Sequence, residues 1–256
     1  MNIENHIKPN CNIVILTGAG ISAESGIQTF RAADGLWENH RVEDVATPEA
    51  FARNPALVQN FYNMRRSTLL SPEIKPNAAH KALAELEEKW PIVNGGEVLL
   101  ITQNIDNLHE RAGSRNTVHM HGELLKMFCN SCTPHIQNED AEKYDIHSDL
   151  DELTACPKCT AKGTLRPDIV WFGEMPYQMD RCARALQDCD LFLSIGTSGN
   201  VYPAAGFVQE ARYAGALTFE INLEPSMNAA NFSAGLYGPA SMQVPTFIQK
   251  LLSDKP

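Results

Sequence analysis

The sequence predicts an α/β fold: a parallel sheet covered by helices on both faces, carrying a smaller lobe. Three observations lead there. Short apolar runs alternate with stretches of helical period, a glycine turn follows the first run directly, and two CxxC pairs sit in a segment that breaks the alternation.

The first strand is expected over 12–16, with Ile13-Val14-Ile15-Leu16 at its centre. It runs into Gly18-Ala19-Gly20-Ile21-Ser22-Ala23, a turn that opens a helix. Backbone N–H groups gathered there, with the positive end of a helix dipole, suit a pyrophosphate. The plainer alternative is a tight strand–helix turn that binds nothing. A dehydrogenase would continue with a second strand and an acid for the ribose about 20 residues on. Residues 25–37 instead turn polar and aromatic, with Gly26 and Gly35 and no strand pattern. The cradle is therefore expected to hold a cofactor covered by a loop, not one presented to a hydride acceptor.

The region from about 30 to 71 reads as helical, with Pro48 and Pro55 near helix starts. A helix over 78–89 follows Pro76-Asn77, and its Ala79, Leu83 and Leu86 repeat at helical spacing. The strand at 97–102 ends in Gln103-Asn104-Ile105-Asp106-Asn107-Leu108-His109. Ligands of open α/β sheets bind beyond the carboxyl ends of strands, which assigns this turn to the crevice. A helix start capped by Asp106 or Asn107 explains the same residues. In Val118-His119-Met120-His121-Gly122-Glu123, the histidine beside glycine is free to face a cleft and act as a general base near neutral pH. Its alternative is an ordinary hydrogen-bonded histidine.

Cys129-x-x-Cys132 and Cys156-x-x-Cys159, with 23 residues between the pairs, have the composition of a closed, tetrahedral, structural zinc site. A nucleic-acid-reading zinc ribbon is the rival. Glu139, Asp140, Glu142, Asp145, Asp149, Asp151 and Glu152 stand there against Lys143, and such a surface repels phosphate. Cys11, Cys182 and Cys189 carry no motif. Beyond the pairs come a weaker strand candidate at 168–172, helices at 179–187 and 204–214, and strands at 191–195 and 216–222. The last two strands run into Gly196-Thr197-Ser198-Gly199-Asn200-Val201 and Asn222-Leu223-Glu224. Four polar strand ends are most economically one nucleotide crevice.

The chain has 256 residues, 43% hydrophobic and 20% charged, with a net charge of −10. That balance argues against nucleic acid as a partner, and acidic clefts suit basic peptides. No segment approaches the ~20 apolar residues of a membrane span. Seven cysteines, an odd number, without a secretion signal do not suggest a disulfide framework; the expectation is a cytoplasmic protein with reduced thiols. The simplest organisation is a Rossmann-like domain of 1–31, 72–122 and 167–256. A helical insertion (32–71) and a zinc-binding module (123–166) form the small lobe.

Taken together, Gly18-Ala19-Gly20-Ile21-Ser22 with Gly26 and Phe30-Arg31, Gln103-Asn104-Ile105-Asp106, His121-Gly122, the CxxC pairs, Gly196-Thr197-Ser198 and Asn222-Leu223-Glu224 resemble the sirtuin family, in order, across nearly the whole chain. The resemblance implies NAD-dependent removal of acyl groups from protein lysines, with NAD consumed and one structural zinc. The acyl oxygen attacks the nicotinamide ribose, nicotinamide departs, and His121 acts as base on a ribose hydroxyl. Free lysine and O-acyl-ADP-ribose result. It further implies that Gly18, Ala19, Gly20, Ser22, Gln103 and Ile105 contact the cofactor, and that Asn104 and Asp106 shape the nicotinamide pocket. Phe30 and Arg31 cover the reacting ribose, Ser198, Asn222 and Glu224 hold the adenosine half, and Trp37, Gly196, Thr197, Leu223 and Ala240 are further cofactor contacts. Residues 170–174, with Val170, Phe172 and Gly173, and residues 199–201 sandwich a substrate peptide added as a strand. One departure is Gln28-Thr29 where many members have Pro-Asp. Another feature, Tyr62-x-x-Arg65, resembles the class III, desuccinylase-type members. Positions three apart share a helix face, where a phenol and a guanidinium suit a distal carboxylate; a solvated Arg65 is the bland alternative. Competing functions are ADP-ribosyl transfer to protein from the same NAD site, a nucleotide-sensing or zinc-ribbon binding module, and a hydride-transferring dehydrogenase.

Overall fold

The computed structural model describes residues 7–28, 40–133 and 138–253, and residues 36–37 through their backbone alone. In chain order the first elements are β1 (Ile13–Thr17), α1 (Gly20–Ala23), β2 (Leu36–Trp37), β3 (His40–Arg41), α2 (Val42–Val45), α3 (Pro48–Arg53), α4 (Pro55–Leu70) and α5 (Ala78–Val93). Then come β4 (Val98–Thr102), α6 (Leu108–Ala112), β5 (Thr117–His119), β6 (Gly122–Cys129), β7 (Tyr144–Asp145) and β8 (Leu165–Ile169). The chain continues through α7 (Met179–Gln187), β9 (Leu191–Ile195), α8 (Phe207–Tyr213), β10 (Leu217–Asn222), β11 (Ala234–Tyr237) and α9 (Ala240–Ser253).

Six strands form one parallel sheet in the order β11-β10-β9-β1-β4-β5. Strand β1 lies between β4 and β9, with Ile13 opposite both Val98 and Leu191. The chain leaves β1 to build outward through β4 and β5, then returns to build the other way from β9. This is the doubly wound order of dinucleotide-binding sheets, and it puts the switch point between β1 and β9. Alternation along the strands gives each face its own core. Ile13, Ile15, Leu191, Leu193 and Ile195 pack against α5 and α9 through Leu83, Leu86, Trp90, Val244 and Phe247. Val14, Leu16, Ile101 and Phe192 pack against α7 and α8 through Leu186, Phe207 and Val208. Strands buried on both faces account for their nearly continuous apolar sequence.

The small lobe joins two further clusters. Helices α2 to α4 bury Val45, Phe51, Val58, Phe61 and Tyr62 with Leu124, Ile169 and Trp171. Met127, Ile146, Leu150 and Leu165 pack around the cysteine cluster. Both helix starts predicted from proline hold: Thr47 caps α3, accepting from Ala50 N–H at 3.0 Å, and Asn54 caps α4, accepting from Leu57 N–H at 3.1 Å. Asn77 caps α5 in a reciprocal box with His80.

Several expectations are corrected. The strand candidate at 168–172 is shifted to β8 and lies outside the parallel sheet. It pairs antiparallel with β6 in a three-stranded sheet, Gly122 opposite Ile169. Its partner β6 carries no clean period, because its burial alternates irregularly around a register shift between Glu123 and Met127. Helix α5 runs on past Pro91 to Val93 instead of stopping at 89. The helix expected over 204–214 begins as a 3₁₀ turn at Ala204–Gly206 before α8. Strands β5 and β11 are too short to be read from the sequence, and α9 is masked there by Pro245.

Candidate active site

Four strand ends open onto one crevice, in the spatial order β10, β9, β1, β4. At the switch point, the turns after β1 and β9 are packed backbone to backbone. Gly18 N–H donates to Ile195 O at 3.0 Å and Gly20 N–H to Gly196 O at 2.9 Å. A Cβ on Gly20 would come within 2.7 Å of Gly196 Cα, and Gly196 itself has φ +64°. Glycine is required here by contact between two turns. This geometry also alters the expected anion cradle. Helix α1 is one turn long, and the N–H groups of Ile21 and Ser22 donate to Gly18 O and Ala19 O. The expectation of several N–H groups gathered at a helix start therefore contracts.

Behind this turn lies a buried polar network. Ser22 Oγ donates to Asp106 Oδ2 at 3.0 Å and accepts from Asn104 Nδ2 at 3.1 Å. Asn104 Nδ2 also reaches Gly18 O at 3.2 Å, and Leu108 N–H donates to Asp106 Oδ1 at 3.0 Å. Burial pushes the Asp106 carboxyl upward against the pull of the Leu108 and Ser22 bonds. His80 Nε2 stands 3.5 Å from Ser22 Oγ, while its Nδ1 accepts from Asn77 N–H, which leaves the proton on Nε2. Burial takes its pKa down to about 4. His109 Nε2 meets Thr17 Oγ1 at 3.0 Å, and burial drives that ring well below its ordinary value too. His80, His109, Thr17 and Thr102 were not singled out from sequence. The one available clue was the cap at Asn77-x-x-His80, which ties α5 to the crevice.

His121 follows β5, partly buried, with Nδ1 3.1 Å from Gln103 O. A carbonyl can only accept, so Nδ1 carries the proton and Nε2 is left as the basic nitrogen. Burial lowers its pKa, partly offset by the Gln103 carbonyl, so the ring is neutral at pH 7. The following Gly122 has φ +82°, and a Cβ there would overlap Asp168 O. Gln103 N–H is fixed on Thr17 O at 2.9 Å, and Ile105 packs partly buried against the helical cluster.

On the other side, Thr197 is buried and its hydroxyl meets Ser194 Oγ at 2.9 Å, inside the fold. Asn222 Nδ2 donates to Thr197 O at 2.7 Å, and Asn222 Oδ1 accepts from Leu223 N–H. Leu223 and Glu224 are exposed; Ala240 is buried at the start of α9. Ser198 O accepts from Met227 N–H. The expected residues Phe30 and Arg31, and the Trp37 side chain, lie outside the described residues.

The segment after β8 connects the crevice to the small lobe. Val170 N–H donates to His121 O at 2.9 Å and Phe172 N–H to Ala46 O at 3.0 Å. Phe172 and Gly173 are exposed. Tyr62 and Arg65 on α4 are both buried. The Tyr62 hydroxyl accepts from Trp171 Nε1 at 2.9 Å, and burial raises the phenol's pKa, keeping it protonated. Arg65 Nη1 donates to Phe61 O, and its guanidinium lies 3.2 Å over the Phe61 ring. The solvated alternative for Arg65 is therefore overturned.

The thiols of Cys129, Cys132, Cys156 and Cys159 all lie within 4.8 Å of one another. Cys129 and Cys159 Sγ are 3.7 Å apart, Cys132 and Cys156 Sγ 3.8 Å. Zinc–sulfur bonds of ~2.3 Å in a tetrahedron give edges of about 3.8 Å, so the donor set fits one closed zinc site.

Comparison with known proteins agrees with this geometry. The Sir2 family is matched over residues 18–203. An NAD-dependent protein deacylase of Pasteurella multocida (strain Pm70) is 58% identical over 240 residues, covering 94% of this chain and 97% of that protein. One from Escherichia coli (strain K12) is 57% identical, covering 94% and 82%. A crystal structure of a Sir2 homolog–NAD complex superposes with a TM-score of 0.82 at 38% identity, covering 96% of this chain and 91% of that one. A Sir2 protein bound to a myristoylated histone peptide gives 0.69 at 32% identity, covering 94% and 90%.

Proposed function

The chain belongs to the Sir2 family, and from that premise we propose that it is an NAD-dependent protein-lysine deacylase acting on acetyl and, through Tyr62 and Arg65, on succinyl-type groups. NAD is a co-substrate that accepts the acyl group, and the products are nicotinamide, free lysine and O-acyl-ADP-ribose. The observation that carries the proposal is the fixed tautomer of His121, a neutral imidazole with its basic nitrogen free beside the ends of β4 and β5. His121 takes the proton of a ribose hydroxyl. Asn104 and Asp106, braced by Ser22, shape the nicotinamide side of the crevice. Gly18, Ala19 and Gly20 carry the phosphates, while Ser198, Asn222 and Glu224 hold the adenosine half. An acylated peptide adds as a strand between residues 170–174 and 199–201.

For acyl choice, the support is a protonated phenol and a guanidinium on one buried helix face, the phenol bonded to Trp171 and the guanidinium close enough to act on the phenol's charge. A carboxylate at the distal end of an acyl chain is the kind of group that a phenol and a guanidinium recognise together. We assign 1–31, 72–122 and 167–256 to the NAD-binding part, and 32–71 with 123–166 to the small lobe. The four cysteines hold a structural zinc that takes no part in the chemistry. No helix among the described residues is long and apolar enough to cross a membrane.

Incubating the protein with NAD and either an acetyl-lysine or a succinyl-lysine peptide is expected to release nicotinamide and O-acyl-ADP-ribose, read by mass spectrometry. Nicotinamide release with neither peptide overturns the proposal, and ADP-ribosylated protein as the main product replaces it with ADP-ribosyl transfer.

A further inference from the structure

Each carbonyl from Thr102 to Ile105 is held by the segment 119–124. Thr102 O accepts from Met120 N–H at 3.1 Å, and Ile105 O from Leu124 N–H at 2.8 Å. Between them, Gln103 O meets His121 Nδ1 at 3.1 Å and Asn104 O meets His119 Nδ1 at 3.4 Å, a long contact. Two imidazoles two residues apart thus hang from successive carbonyls of the turn that carries Asn104 and Asp106. Their second nitrogens differ. His119 Nε2 lies 2.9 Å from Glu110 Oε1.

A carboxylate and a peptide oxygen only accept hydrogen bonds, and a neutral imidazole has a single N–H. Either neutral tautomer of His119 would set a ring lone pair against an oxygen. Only the imidazolium donates to both. We infer that His119 is a positioning residue that works as an imidazolium, bridging Glu110 to the Asn104 carbonyl and so fixing the nicotinamide side of the crevice.

The surroundings agree. Glu110 on α6 and Glu123 on β6 supply negative charge around the ring, while burial pushes the nearby Asp106 carboxyl upward. The His109 and His121 rings are neutral. Burial opposes the His119 charge, but the Glu110 bond and charge outweigh it and raise the pKa above the ordinary value. The contribution is therefore complete below pH ~6.5 and is lost as pH rises through the raised value. Loss of the proton releases the Asn104 peptide and weakens use of NAD at alkaline pH. That kinetic consequence rests on the deacylase proposal; the protonation state does not.

The test has two arms. In ¹⁵N-histidine spectra of the wild-type protein, assigned with His119→Gln, both His119 ring nitrogens should be protonated at pH 6.5 and titrate above it. A single neutral tautomer at that pH overturns the inference whether or not the protein deacylates. In kinetics, Glu110→Gln should move the alkaline limb of kcat/KM for NAD to lower pH by at least half a unit, leaving the acid limb in place. An alkaline limb that stays put, or an equal loss at every pH, overturns it as well.

Discussion

At His121, burial and a single accepting partner do different work, burial lowering the pKa and the carbonyl partly offsetting it. The Gln103 carbonyl fixes the tautomer, and burial keeps the ring neutral, so the base needs no neighbouring carboxylate. Because its pKa is lowered from ~6.5, the neutral form persists below that pH, and kcat/KM should fall on the acid side only below about 6.5. An acid limb centred above 7 would contradict the assignment. His121→Asn should reduce turnover by roughly 10²–10⁴-fold with the thermal midpoint nearly kept. Arg65 is a specificity residue on the same scale. Charge-assisted bonds are worth ~1.5–3 kcal/mol, so Arg65→Met should cost desuccinylation roughly 10–150-fold in kcat/KM while deacetylation shifts a few-fold at most. Parallel kinetics on the two peptides decide it, and matched losses would remove Arg65 from acyl recognition.

The element that most governs the small lobe is α4. Its Gln59, Asn63 and Arg66 lie at helical spacing, and all are buried. Gln59 Nε2 donates to Leu165 O, Asn63 exchanges bonds with the Leu150 backbone, and Arg66 reaches Leu124 O, Ser148 O and Asn63 Oδ1. This polar stripe is the seam that holds the cysteine-bearing module. Arg66→Met strips partners from three acceptors and should cost about 2–4 kcal/mol, measured by urea unfolding. A change below about 0.5 kcal/mol would show that the seam is incidental. The turn between β5 and β6 is equally constrained. Gly122→Ala should displace β8 and carry His121 with it, seen as lost activity and a lowered thermal midpoint.

Across the whole molecule, metal and protons both set stability. The four thiols are spaced for zinc, so metal analysis should find one zinc per chain, and a strong chelator should lower the thermal midpoint. A metal-free preparation with the same midpoint would argue against a structural role. Histidines 80, 109 and 121 are all held below their ordinary pKa by burial. The unfolded chain binds their protons first, so stability should decline as pH falls from ~6.5 towards 4, by up to about 1.4 kcal/mol per unit and group. Urea midpoints that are flat over that range would contradict the neutral network.

How much of this was legible in sequence depends on range. The apolar strands of the parallel sheet, the proline-started helices, the glycine turn and the paired cysteines are local patterns, and these elements formed where their patterns stood. The crevice was legible because strand ends carry the polar residues wherever the strands pair. The strand at 168–172 was misplaced because apolar content does not say which sheet a strand joins. The buried stripe of α4, the neutral pair His80 and His109, and the Glu110–His119–Asn104 bridge join residues distant in sequence. Polar residues are silent about burial until a partner arrives, and the partner is a property of packing. Residue types and spacing determined the family of chemistry and the metal. Tertiary structure alone decided which histidine is neutral, which carries charge, and which helix face is buried, because solvent and neighbouring charge are set only when the layers meet.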